Sequence, residues 1–405
     1  MATATEISYA ELRQLRRELR RRQVRRRRAT ALGIVGLLIV LGIVIGRVLG
    51  GSGIGRVTLR PAAVSLPASP FHARLPEQIR GVHVTMSLAS IPGKLAQYIA
   101  LKRQGLNTIE LDVKDENGHV GFVQGAPAIA RADGAAGSYY DARTVARQLH
   151  RAGIYLIGRV VSFEDPTTAE SHPGMAIHTS DGSIWHTSGG LAWLNPYSKA
   201  AWRYDVDVAV AAAKAGFDEI QFDYVRFPSD GDVSIIRYPG VHTQPMGETV
   251  AAFLRYARSR LHPLGVRVSA DVFGLSATHN LGIGQTPGQI GEVVDTIYPM
   301  TYPSHYVPGE YNLPDPNAAP GKTVSDSLRD FRTKLAGTPA QLVPWLQDFS
   351  LGRKYTAADV AAQVQAARDY DAGGFMLWNA DGIYTRKALA AGPPPPLPPL
   401  YAPHL

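Results

Sequence analysis

Short runs rich in β-branched and aromatic residues alternate along this chain with longer stretches whose apolar residues recur every three or four positions. The short runs are GVHVTM at 81, TIELDVK at 108, YLIGRVVS at 155, EIQFDYV at 219, VRVSADVF at 266, TIYPMTY at 296, QLVPWLQ at 341 and GFMLWN at 374. Their length and composition predict strands. Between them lie KLAQYIALKRQG, DARTVARQLHRAG, AAWRYDVDVAVAAAKAG, TVAAFLRYARSRLHPLG and AADVAAQVQAARDYDAGG, helical in spacing and ending in Gly, as helices with a left-handed C-cap do. Eight strand and helix units in alternation predict an α/β fold with a parallel sheet closed on itself, a (β/α)8 TIM barrel.

One apolar run is of a different kind. Residues 31–46, ALGIVGLLIVLGIVIG, carry no charge and follow four consecutive arginines, Arg25 to Arg28. The stretch 29–49 approaches the roughly 20 residues that an α-helix needs to cross a bilayer. The positive-inside rule places the arginines in the cytoplasm and everything beyond the segment on the other side. A cleaved signal peptide has a shorter apolar region and a small-residue cleavage site, whereas here the run leads into Gly50-Gly51-Ser52-Gly53. The expected organisation is a basic cytoplasmic segment 1–28, a transmembrane signal anchor 29–49, a Gly/Pro/Ser-rich linker 50–78, the barrel 79–391 and a Pro-rich tail 392–405. The barrel is thereby expected on the extracytoplasmic side of a single-pass cell-membrane protein.

Charge and composition narrow the functional classes. The net charge of +8 suggests nucleic acid until it is located: residues 1–28 hold ten Arg and three Glu, which leaves about +1 for the remainder. A nearly neutral barrel lacks the basic face that nucleic-acid binding requires. There is no cysteine, hence no disulfide and no thiolate metal site. No Walker loop and no strand-Gly-helix dinucleotide fingerprint is found, so no cofactor is expected.

In a barrel of this kind the site lies at the C-terminal ends of the strands, and alternate residues of each strand face the lumen. Apolar parity sends Ile109, Leu111 and Val113, Ile220 and Phe222, and Val268, Ala270 and Val272 toward the helices. It turns inward Glu110 and Asp112, Gln221 and Asp223, and Ser269 and Asp271. The same parity brings in His83, Thr85, Arg159, Tyr298, Gln347 and Trp378. A polar and aromatic lumen is costly to bury unless it is paired or binds something. Glycosidic hydrolysis needs one carboxylic acid and one carboxylate, and Asp223 and Asp271 fit as a pair on neighbouring strand ends. A reading in which one of them instead pairs with Arg226 or Arg159 stays open, and Glu164 or Asp348, on loops after strand ends, are alternative acids. Loop aromatics suited to sugars include Trp185 and Trp193 after strand three, Tyr302 and His305 after strand six and Phe349 after strand seven.

The stretch GFDEIQFDYVRFPSDG, with TIELDVKDENGHV before it and SADVFG, IYPMTYPSHY, PWLQDF and GFMLWNA after it, resembles the DUF4015 family of glycoside-hydrolase-like barrels over roughly 79–388. The resemblance implies a TIM barrel with a glycosidase-like site, in exported or anchored bacterial proteins, and brings no known substrate. By motif it carries site roles onto Asp223 and Arg226, Asp112 and Asp115, Asp271, Tyr298 and Tyr302. The expected activity is hydrolysis of an extracellular or cell-envelope polysaccharide. Asp223 and Asp271 are expected to be catalytic; Asp112, Asp115, Arg159, Glu164, Arg226, Tyr298, Tyr302, His305, Asp348 and Trp378 are expected to bind substrate. A non-catalytic glycan-binding or scaffold protein on the same barrel is the alternative, and convergence of His83, Asp112 and His119 on a metal is a weaker third.

Overall fold

The computed structural model describes residues 72–370 and 372–389. The apolar segment 29–49, its basic flank, most of the linker and the tail 392–405 lie outside the described residues. Among the described residues no helix is long and apolar enough to cross a membrane.

Eight parallel strands form the barrel: β1 (Ile79–Val84), β2 (Thr108–Lys114), β3 (Tyr155–Val161), β4 (Glu219–Asp223), β5 (Arg267–Phe273), β6 (Thr296–Met300), β7 in two pieces (Gln341–Leu342 and Trp345–Gln347) and β8 (Gly374–Trp378). Each pairs with the next in sequence. The ring closes where Ile79 of β1 lies opposite Gly374 of β8. Between β6 and β7, Trp345 lies opposite Met300. Closure leaves no unpaired edge. Gly374 is needed at that seam, since its φ is +119° and a Cβ would sit 1.9 Å from the carbonyl oxygen of Ile79.

Two predicted strands are shorter than their sequence runs. β4 stops at Asp223 because Tyr224 adopts a positive φ of 49°, which turns the chain out of the sheet. β7 is broken at Pro344, which has no N–H to offer the ladder.

The longer helices are α1 (Lys94–Ala100), α2 (Ala142–Arg151), α3 (Lys199–Ala215), α4 (Met246–Leu261), α5 (Pro320–Lys334) and α6 (Ala357–Asp369). Side chains cap several of them. Asp141 accepts from the Thr144 N–H and Ser198 from the Ala201 N–H. Thr356 and Asp359 form a reciprocal capping box on α6, which satisfies N–H groups that a helix start leaves free. The apolar side chains divide into two sets, as strand parity requires. A large set fills the space between sheet and helices. A smaller set, including Ile79, Tyr155, Ile157, Tyr298, Trp345 and Met376, lies in the lumen.

The chain reaches β1 from the N-terminal end of the barrel. Ala73 and Leu75 pack against the lumen set, and the Ala73 N–H donates to Asp218 Oδ1 at 2.6 Å. Asp218, the residue before β4, also accepts from the Leu156 N–H at 2.8 Å and lies 3.0 Å from His150 Nε2. One buried carboxylate thus fastens the incoming segment, β3 and α2 together.

β2 departs from simple alternation. Its register with β3 shifts between Asp112 and Lys114, so Asp112 keeps to the lumen while Lys114 is delivered to the helix layer. There the fully buried Lys114 Nζ donates to Asp165 Oδ2 at 2.7 Å and Asp205 Oδ1 at 2.6 Å, and lies 4.9 Å from the Tyr204 ring centroid. Asp165 also accepts from the Thr168 N–H at 2.8 Å. This triad ties the β2 bulge, the loop after β3 and helix α3. Removing one partner of a buried ion pair strands the others without compensation, at a typical cost of about 3–5 kcal/mol. Lys114→Met is therefore expected to lower the unfolding free energy by about 3–5 kcal/mol in urea denaturation, and a loss below about 1 kcal/mol would show that the two aspartates find other partners.

Candidate active site

Arg159, on β3, stands between two carboxylates supplied by its neighbouring strands. Its Nη1 donates to Asp112 Oδ1 of β2 at 2.8 Å, and its Nε and Nη2 donate to Asp223 Oδ2 of β4 at 2.9 and 2.7 Å. All three side chains are buried. The register explains the meeting, because Asp112 lies opposite Arg159 across β2 and β3, and Arg159 lies opposite Gln221 across β3 and β4. The salt-bridge reading left open by the sequence is realised for Asp223 with Arg159. Its other oxygen, Oδ1, accepts from the N–H of Tyr224 at 2.7 Å.

Asp271 occupies the opposite kind of environment. Phe222 and Ala270 are register partners, so Asp223 and Asp271 are the next residues of adjacent strands. Among the described residues no cation lies within ion-pairing distance of Asp271. Its Oδ1 accepts from Gln221 Nε2 at 2.5 Å and Trp345 Nε1 at 2.6 Å. Burial, followed by the charges of Asp223 and Glu110, pushes its carboxyl well above the usual carboxylate range.

A neutral pair sits deeper. His83 Nδ1 is 2.5 Å from Glu110 Oε2, and both side chains are buried. Burial lowers His83 to about 4 and raises Glu110 well above its ordinary range, which favours a neutral hydrogen-bonded pair. The imidazole stacks on Trp378 with centroids 4.3 Å apart. The Arg159 guanidinium carbon lies 5.5 Å from the same indole.

Beyond the strand ends, the loop after β3 brings Glu164 and Trp193 to the loop after β4 that holds Tyr224 and Arg226. Trp193 Nε1 donates to Glu164 Oε2 at 3.1 Å. Burial lifts the Glu164 carboxyl to about 8, against the lowering influence of Arg226. A second aromatic wall stands on the far side, where Tyr302 meets His305 and Phe349 edge-on at 5.4 and 5.5 Å. Burial lowers His305 to about 4. The Ser304 N–H donates to Gln347 Oε1 at 3.0 Å, which joins the β6 and β7 loops beneath that wall. Large exposed apolar side chains, among them Ile91, Val123, Ile235, Val241, Leu351 and Ile383, lie between a strand and the helix that follows it.

Of the residues singled out from sequence, Asp112, Arg159, Asp223, Asp271, Tyr298 and Trp378 share the lumen, while Glu164 and Arg226 form the adjoining loop cluster. Tyr302 and His305 form the wall, whereas Tyr298 is fully buried below it beside Trp345, centroids 6.4 Å apart. Asp115 and Asp348 are engaged elsewhere. Asp115 Oδ1 accepts from the Asn117 and His119 N–H groups at 3.0 and 2.8 Å and closes the β2 turn. Asp348 accepts from the Thr385 N–H at 2.6 Å and its hydroxyl at 2.7 Å, which fixes the loop after β8. Thr85 caps the short helix Met86–Ala89. His119 pairs with Asp115 at 3.4 Å and does not join His83; among the described residues no three His, Asp or Glu side chains are placed to hold a metal. Glu110, Gln221 and Trp345 belong to the site network although only the first two were marked as inward by parity, and none was chosen as a site residue. Trp345 lies beside the Pro344 break, where alternation is hard to follow.

Comparison with known proteins bears on the fold and the family. The glycoside hydrolase domain of PgaB (BpsB) from Bordetella bronchiseptica is similar in structure, with a TM-score of 0.54 at 14% identity over 75% of this chain and 95% of that one. A hypothetical protein from Ruminiclostridium thermocellum ATCC 27405 is 35% identical over 47% of this chain and 97% of its own, with a TM-score of 0.43. The catalytic domain of a β-amylase from Paenibacillus polymyxa has a TM-score of 0.49 at 13% identity, over 78% of this chain and 95% of that one. No curated protein sequence matches the chain. The family profile DUF4015, described as "Putative glycosyl hydrolase domain", matches residues 81–384. With a closed eight-stranded barrel, carboxyls gathered at its strand ends and a match over most of its length, the chain belongs to the DUF4015 family.

Proposed function

We propose that this barrel hydrolyses glycosidic bonds of an extracellular or cell-envelope polysaccharide, with Asp223 as the nucleophile or base and Asp271 as the acid. The observation that carries the reading is the contrast between neighbours on β4 and β5: Asp223 is matched by Arg159, whereas burial without a cation keeps a proton on Asp271. Two titratable groups driven apart by their surroundings are what divides acid from base in a two-carboxyl mechanism. The two hydrogen bonds from Arg159 aim Asp223. The Gln221 and Trp345 N–H groups hold one oxygen of Asp271 and leave the other for the proton. Trp378, backed by His83, and the wall of Tyr302, His305 and Phe349 offer the flat surfaces on which sugar rings lie.

A second assignment of the acid is favoured by one observation. Glu164 titrates at about 8, close to the pH at which a general acid works best. Trp193, its one side-chain donor among the described residues, leaves a proton free to point toward substrate. In both assignments the residues of segment 29–49 tether the protein to the membrane, with the barrel outside the cytoplasm.

Purified full-length protein is expected to cleave at least one member of a panel of envelope polysaccharides. Asp223→Asn is expected to lower kcat by about 10³-fold or more while binding the same glycan. Unchanged turnover in this variant would remove Asp223 from the chemistry, and retained binding without turnover in the wild type would favour the scaffold alternative.

The pH dependence separates the two acids. With a folded value of about 8 against an ordinary 4.5 for Glu164, the folded state holds a proton that the unfolded chain releases between those values. This contribution is intact at pH 4 and is lost as pH rises toward 8. Glu164→Gln cannot lose that proton. The variant is expected to match the wild type in stability near pH 4 and to exceed it above pH 8, by at most about 5 kcal/mol, in thermal and urea unfolding. If Glu164 is the acid, wild-type turnover falls above about pH 8 and Glu164→Gln is inactive; an active variant with the same alkaline limb leaves the role to Asp271.

A further inference from the structure

Three cationic side chains are buried among the described residues, and one of them is handled unlike the others. Lys114 is held by Asp165 and Asp205, and Arg159 by Asp112 and Asp223. Arg226 is 4% exposed, yet it makes no ion pair with any described residue. Glu164, Asp223 and Asp230 are near enough to feel its charge, but none reaches it.

What surrounds Arg226 is aromatic. Its guanidinium carbon lies 4.9 Å from the centroid of Trp193, 5.1 Å from Tyr224 and 4.9 Å from Phe273. Aromatic rings engage the faces of a guanidinium and leave its in-plane N–H groups to other partners. Nη1 donates to the carbonyl oxygen of Phe227 at 3.0 Å and to Ser229 Oγ at 3.2 Å. Nε and Nη2 donate to no described protein atom, and neither is among the side-chain atoms sealed from solvent without a partner. The cage therefore fixes the plane of the group and leaves its Nε and Nη2 edge without a partner among the described residues.

The backbone is bent to achieve this. Tyr224 takes its positive φ of 49° immediately after Asp223, and the Arg226 N–H closes the turn on the Tyr224 carbonyl at 2.9 Å. A non-glycine residue in that conformation costs energy that the surroundings must supply. Trp193, one wall of the cage, also donates to Glu164, so the free edge is built into the same cluster as a candidate acid.

A planar pair of N–H donors on a desolvated, permanently charged group matches a carboxylate in two parallel hydrogen bonds. We propose that Arg226 is a specificity residue that receives the carboxylate of an acidic sugar, so that the polysaccharide recognised here is one bearing carboxylate groups. This inference rests on the glycosidase reading for its location but concerns recognition alone. A uronic acid and a sugar with a lactyl ether present the same carboxylate chemistry from different positions on the ring.

The test is calorimetric binding to full-length Asp223→Asn protein, which keeps the probe intact. The probes are uronic-acid oligosaccharides of several linkages, each paired with its carboxyl-reduced form, together with glycan strands carrying a lactyl ether and their carboxyl-reduced counterparts. At least one acidic probe is expected to bind about tenfold or more tightly than its reduced partner, and the pair that shows this identifies the source of the carboxylate. Adding Arg226→Gln is expected to bring that ratio close to one without weakening the reduced probe. Arg226→Lys, which keeps the charge and loses the fork, is expected to retain only part of it. Equal binding of acidic and reduced probes throughout, binding of neither, or a preference that survives Arg226→Gln would overturn the proposal. Should Arg226→Gln fail to fold by circular dichroism, the acidic and reduced pairs on the Asp223→Asn protein and Arg226→Lys decide alone. Carboxylate preference without hydrolysis by the wild type would sink the glycosidase reading and leave this one standing; equal kcat/KM on acidic and reduced substrates would do the reverse.

Discussion

The Arg159 guanidinium is the point on which the lumen is organised. A barrel of this size is ordinarily filled with branched aliphatic side chains in layers, and replacing them with carboxyls is unfavourable unless charge is matched inside. Arg159 matches two at once, on the strands to either side of its own. That single cation allows Asp112 and Asp223 to be buried as neighbours. The carboxyls it does not reach, Asp271 and Glu110, meet the same low-polarity surroundings by holding their protons. One interior thus contains carboxyls paired with an arginine and carboxyls held only by neutral partners.

The contrast with Lys114 shows how local backbone geometry decides what a buried cation is for. Both residues belong to neighbouring strands and both are sandwiched between aspartates. The shift in register between Asp112 and Lys114 sends the lysine outward, where it locks loop to helix and touches nothing that a ligand could reach. Arg159, on regular strand, faces inward. A half-pleat difference separates a brace from a piece of the site.

Much of this was legible in the sequence because a closed parallel barrel makes parity informative. Ile220 and Phe222 could face only the helices, which left Gln221 and Asp223 for the lumen, and the structure places them there. Reading failed where the chain leaves strict alternation. The bulge in β2 concealed the Lys114 triad, the Pro344 break concealed Trp345, and the turn at Tyr224 ended β4 earlier than its β-rich composition suggested. Partners distant in sequence were also invisible. Nothing near Asp348 announces that Thr385 will occupy its oxygens, and nothing near Asp115 shows that a turn consumes it, although both stand where a strand-end site residue would. Motif position locates a residue on the face; only hydrogen-bond accounting tells whether it is free to act there.

The way the chain enters β1 has a mechanical consequence. β1 lies between β8 and β2, pairing with β8 over Ile79–Val82 and with β2 over Gly81–Val84, and the segment before it is pinned at Asp218 beneath the barrel. A pull applied through the N-terminal side runs along the strand axis. It loads both ladders together in shear, instead of peeling bonds one after another as it would from an open edge. The first strand of the barrel is in this sense a handle set in the wall it supports, and force arriving through the segment before β1 is spread over its neighbours before it reaches Arg159.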